Sequence, residues 1–115
     1  MLLQSAPLVR WLVAEAYERM GRPDSAAVYF ERAIAAPAAD WLSLENVPNG
    51  RLAVSFGHRR LALLYARMGR LEEARRHLEL FAAAFTRPDP GMAPLIAEVR
   101  AAIAGAEGMA KASRR

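Results

Sequence analysis

Apolar residues recur along the chain at helical spacing, stop at Gly-Arg, and then resume. Val9, Leu12, Val13, Ala16, Tyr17 and Met20 fall at i, i+3 and i+4 intervals, which predicts a first helix of about 14 residues. Gly21 follows as a helix-closing residue able to take positive φ, and Pro23 sits where a new helix has no N–H bond to lose. A second helix is expected from about 24 to 36, ending at Pro37. Further on, Leu61, Leu64, Tyr65 and Met68 form another stripe that Gly69 closes. The helix after it opens with Glu72 and Glu73, where the positive end of the helix dipole favours carboxylates. Its buried side is expected to carry Leu71, Ala74, Leu78, Phe81, Ala82 and Phe85, and Pro88, Pro90 and Gly91 end it. A fifth helix over about 92–106 presents Leu95, Ile96, Val99 and Ile103 on one face, and the tail 108–115 has no stripe and is expected to fray.

The two halves of this pattern are copies. Tyr17-Glu18-Arg19-Met20-Gly21-Arg22 recurs as Tyr65-Ala66-Arg67-Met68-Gly69-Arg70, and Val13/Leu61, Ala14/Ala62, Ala26/Ala74, Phe30/Leu78, Glu31/Glu79 and Ala35/Ala83 pair at the same offset. Repeat one spans about 8–38 and repeat two about 56–88. Between them lies an insertion over 37–50, a loop whose Trp41, Leu42 and Leu44 are too apolar to be left in water. The third helix then starts near Arg51.

Each unit resembles a tetratricopeptide repeat, a helix–turn–helix with the pattern W-x2-L-G-x2-Y…A-x3-F…P. In the first copy the pattern falls on Val13, Ala14, Tyr17, Gly21, Ala26, Phe30, Ala33 and Pro37, with Arg10 at the Trp place; in the second it falls on Leu61, Ala62, Tyr65, Gly69, Ala74 and Leu78, with His58 there. Phe81 stands where the pattern wants a small residue, so the second copy's second helix is expected to pack further out. The resemblance implies an all-α fold, a right-handed superhelical stack of helix hairpins with about five helices in one domain. Small Ala14, Ala26 and Ala33 let paired helices approach, and Tyr17 and Phe30 fill the gaps. The layout, with its Asp89-Pro90, Pro94 and Val99-Arg100 stretch, also resembles the C-terminal repeat region of bacterial multidomain regulators such as serine/threonine kinases and nucleotide cyclases. There the repeats are an accessory interaction domain, which implies that this chain is an arm of a longer protein.

The same resemblance implies a concave groove that binds a protein or peptide. By register its candidate residues are Trp11, Glu15 and Arg19 from the first copy and Arg59, Arg60, Leu63 and Arg67 from the second. The three arginines of the second copy form either an electropositive strip for an acidic partner or a solvated charged face. Trp11 is either a groove anchor or packing for the Trp41 loop. The chaperone-binding carboxylate clamp is not reproduced, because Trp11 and Glu15 occupy places that need Lys and Asn. Nothing caps the first helix, and Leu2, Leu3, Leu8 and Val9 form a face for self-association as a homodimer or for a preceding repeat.

Composition then removes alternatives. The 115 residues include no Cys, which excludes disulfides, thiol nucleophiles and Cys-based metal sites. His58 and His77, with no His/Glu pair at i, i+4 spacing, read as helix-surface residues, so neither a metal nor another cofactor is expected. No carboxylate pair, nucleophile or phosphate-binding loop supports an enzyme. The net charge of +4 comes from 15 Arg and one Lys, beside 25 Ala, a vocabulary common in GC-rich genomes. The basic balance is therefore discounted as evidence for a partner, and a nucleic-acid-binding helical repeat, which wants arginines clustered or interleaved with aromatics, stands as the alternative function. No apolar run is long enough to span a membrane, and Arg10 and Glu15 interrupt the apolar N-terminal stretch, so neither a membrane nor a secretory signal is expected and the cytoplasm is the expected location.

Overall fold

The computed structural model describes residues 7–36, 50–84 and 90–113, and all five helices in those segments are α. They are α1 Pro7–Arg19, α2 Pro23–Ala35, α3 Gly50–Arg67, α4 Leu71–Ala83 and α5 Ala93–Ser113; no strand occurs among the described residues. The all-α class, the helix count and the early start of the third helix agree with the sequence pattern. Leu2, Leu3, Trp41, Leu42, Leu44 and Phe85 lie outside the described residues, as does most of the insertion. The chain divides into two compact units, Met1–Gly57 and His58–Arg115, and the division falls inside α3.

The repeated hexapeptide builds the same turn twice. Gly21 and Gly69 take φ of +74° and +76°, the left-handed region that glycine enters without a Cβ clash. The Gly21 N–H donates to the Glu18 carbonyl (3.1 Å) and the Arg22 N–H to that of Tyr17 (2.9 Å). Gly69 and Arg70 repeat this on Ala66 (3.1 Å) and Tyr65 (2.8 Å). These are the paired bonds of a Schellman motif, satisfying carbonyls that a helix end would otherwise leave orphaned. Each arginine also opens the next helix, its carbonyl accepting from Ala26 (3.0 Å) or Ala74 (3.1 Å). Its guanidinium lies over the tyrosine whose carbonyl it has just bonded, Arg22 at 5.3 Å from the Tyr17 centroid and Arg70 at 4.9 Å from that of Tyr65. The spacing Tyr-x-x-x-Gly-Arg is therefore one hydrogen-bonded and stacked object.

In the first unit α1 and α2 pack as a hairpin around Ala14, Ala26, Phe30 and Ala33, all without solvent exposure. Trp11 meets Phe30 edge-on, with centroids 4.9 Å apart, so its ring packs on the hairpin core. A methyl group built at Gly57 would overlap Cγ2 of Ile34 and touch Trp11 at 3.3 Å, so glycine lets α3 approach this hairpin closely. The α1 stripe departs from expectation, because Leu12 (55 % exposed), Ala16 and Met20 (64 %) face outward. Apolar periodicity marks a face without saying that the face is covered.

In the second unit Leu61, Ala62, Leu64, Ala74, Phe81, Val99 and Ile103 are buried, and α4 packs on α5. Phe81 has no exposure, so the larger side chain is taken into the core rather than left outside it. The bulk has moved one turn along: where the first unit has Phe30 and Ala33, this one has Leu78 and Phe81. Helix α5 continues through Met109, Ala110, Lys111 and Ala112 instead of fraying after about residue 106. Alanine and lysine are strong helix formers, and a helix can extend on propensity after its apolar stripe has ended.

Candidate functional site

The α3 and α5 segments of the second unit enclose an open groove of about 430 Å³, lined by Ala66, Arg67, Ala102, Gly105, Ala106 and Met109. Its shape follows from residue size. Ala102, Gly105, Ala106 and Met109 fall at i, i+3, i+4 and i+7 on α5, and the small members leave a trough where larger side chains would have filled the space. The walls are apolar, Met109 stands 76 % exposed at the lip, and Arg67 ends α3, where a cation favours the negative end of the helix dipole.

The sequence-derived residues are distributed unevenly about this groove. Arg67 lines it and is exposed. Arg59 donates to Glu98 of α5 at 2.8 Å, so its guanidinium ties two helices of the unit together. Arg60 and Leu63 are half-buried on the same helix. Arg59 and Arg67 stand eight residues apart, roughly 12 Å along the axis. Trp11, Glu15 and Arg19 belong to α1 in the other unit: Trp11 and Glu15 are half-buried and Arg19 is exposed. Leu8 and Val9, expected on an open face, are half-buried.

A second cavity, of about 410 Å³, lies between α4 and α5, floored by Leu78, Ala82, Ile103 and Ala104, with Arg75 and Glu107 paired across it. Arg100 and Glu79 complete its wall.

The histidines correct the sequence reading. His77 is buried, with 3 % exposure, and its Nδ1 lies 2.8 Å from Nδ1 of half-buried His58. The two rings stack at 5.1 Å, and His77 also stacks on Tyr65 at 5.6 Å. One ring must carry its proton on Nδ1 and the other must leave that atom bare, because two N–H groups cannot face each other at this distance. Burial, helped by the Arg76 charge and opposed by Glu73, lowers the His77 pKa to about 4. The residue type reads as a surface one, whereas the structure places His77 at a helix-core position. The 48-residue offset could have found it, since it places His77 on Tyr29, which stacks on Tyr17 at 5.5 Å in the first unit.

Among the described residues no group of three or more His, Asp or Glu could hold a metal ion, and no helix is long and apolar enough to cross a membrane. Helix hairpins closed by a repeated glycine turn define an all-α repeat architecture. Residues 9–40, which contain most of α1, the first glycine turn and all of α2, match the family model of the tetratricopeptide repeat. Comparison with curated proteins and with solved structures gave no significant match. Tetratricopeptide repeats are in general non-enzymatic scaffolds for protein–protein interaction.

Proposed function

We propose that this chain is a protein-binding module whose ligand site is the α3/α5 groove of the second unit, and that the ligand is a short peptide or helix carrying a carboxylate. The groove carries the reading: its small-residue floor admits a close backbone, Met109 offers an adaptable apolar contact, and Arg67 at the rim can hold a carboxylate through two parallel N–H bonds. Arg60 and Leu63 extend the same helix surface toward Arg59, and Trp11 is assigned to packing. The repeat match supports the class of function. The layout resemblance supports a place for the module as a regulatory arm of a larger bacterial protein. Selection from a random peptide library, followed by fluorescence-anisotropy titration, tests the site. Selected peptides should carry Asp or Glu. Gly105→Leu should weaken their binding by about tenfold or more through lost fit, and Arg67→Glu by a similar factor through lost pairing. Peptides without acidic preference, bound equally by both variants, would remove the groove assignment.

A further inference from the structure

The 48-residue offset allows each α1 position to be compared with its α3 counterpart. Leu61 and Leu64 are 0 % and 1 % exposed, Tyr65 is buried and Met68 is half-buried. Their counterparts on α1 are more open: Val13 and Tyr17 are half-buried, Ala16 is exposed, and Met20 is 64 % exposed. Where α3 carries Arg60, α1 presents Leu12, itself 55 % exposed. A helix position that is covered in one copy of the repeat is thus uncovered and apolar in the other.

We propose that this face of α1 is covered by the same face of a second copy, paired antiparallel about Ala16. The residues themselves select that occupant. Leu12, Ala16 and Met20 form a stripe of large, small and large side chains at i−4, i and i+4. Turning a second α1 about a two-fold axis at Ala16 sets Leu12 of each copy against Met20 of the other. The alanines meet at the crossing, where their size allows helix axes to approach to about 8 Å. Arg19 lies on the flank of the stripe that also carries Glu15, and a two-fold axis brings like flanks together. Each Arg19 then comes within one turn of the opposite Glu15, so opposite charges meet on both sides of the axis. A parallel pairing would set Leu12 against Leu12 and put the Glu15/Arg19 flanks of the two copies on opposite sides of the interface, losing the charge match.

The absence of native cysteine makes the register directly readable in the full chain. Ala16→Cys places one thiol on the axis, where two Cα atoms fall within disulfide reach, and mild oxidation should convert most of the protein to a covalent dimer. Leu12→Cys and Met20→Cys should each stay largely unlinked alone and should link to each other when mixed. Unmodified chain should sediment at twice the 12.6 kDa of one chain, and Met20→Glu should return it to that single mass with an unchanged helical circular dichroism spectrum. Sedimentation as a monomer throughout a dilution series would overturn the proposal. So would equal self-linking by all three cysteine variants, or a Met20→Glu chain that stays dimeric. If Met20→Glu unfolds, the cysteine pairs alone decide, because none of them introduces a charge.

Discussion

The two copies of the repeat share a turn and differ in what is stacked beside it. In the first unit Arg22, Tyr17, Tyr29 and Arg32 form a ladder, with guanidinium groups over both tyrosines and both rings half-buried. In the second unit Arg70, Tyr65 and His77, at the same offset as Arg22, Tyr17 and Tyr29, form a ladder that ends on His58 instead, with Tyr65 and His77 buried. The backbone hydrogen bonds are the same within 0.1 Å. Local turn chemistry is therefore independent of burial, whereas the far end of the ladder is not. A guanidinium keeps its charge and needs water or a counter-charge, so it suits the open copy. An imidazole can become neutral, bond to a second imidazole and be enclosed.

The largest effects should separate the cores on which the ladders rest. Phe30→Ala and Phe81→Ala each remove a fully buried ring and should lower unfolding free energy by about 3–5 kcal/mol. Leu78→Ala, at the Phe30 position of the second unit, should cost less because Leu78 is half-buried; denaturant unfolding compares all three. Next comes pH. His77 titrates near 4 in the folded chain against 6.5 unfolded, so its contribution is complete above pH 6.5 and is lost as pH falls toward 4. The loss amounts to about 3 kcal/mol at the lower end. His77→Tyr, which installs the first unit's residue, should remove most of that dependence when urea melts are repeated across the interval.

Smaller effects test whether the turns are truly equivalent. Gly21→Ala and Gly69→Ala put a Cβ into left-handed backbone and should each cost roughly 1–2 kcal/mol, equal within error in thermal melts. Nothing lies within 4 Å of a Cβ at Gly105 and its φ is not positive, so Gly105→Ala should stabilise α5 by a little under about 1 kcal/mol. It should at the same time make the groove shallower for a bound peptide.

The parts legible in the sequence are those governed by local chemistry. Gly21 and Gly69 declare the turns because only glycine sits easily at their φ, and Pro23 declares the start of α2 because it needs no N–H there. The buried alanines of the first hairpin followed from the repeat pattern. Less legible were features that depend on distant surroundings. Leu12, Ala16 and Met20 have the periodicity of a core stripe, yet all three are exposed. His77 has the composition of a surface residue, yet Tyr65 and His58 enclose it. The α3/α5 groove is not legible because it is a space left by small residues, Ala102, Gly105 and Ala106, which add nothing to the apolar stripe of α5. Register puts Arg59 and Arg67 on one helix surface; in the structure Arg67 lines the α3/α5 groove and Arg59 bonds to Glu98, 39 positions away.

The claim that one repeat is used twice, open in the first unit and closed in the second, is tested most directly through the chain's three tyrosines. Nitration at low protein concentration, mapped by peptide mass spectrometry, should modify Tyr17 and Tyr29 well before Tyr65. Modification of Tyr65 as early as the other two would contradict the account.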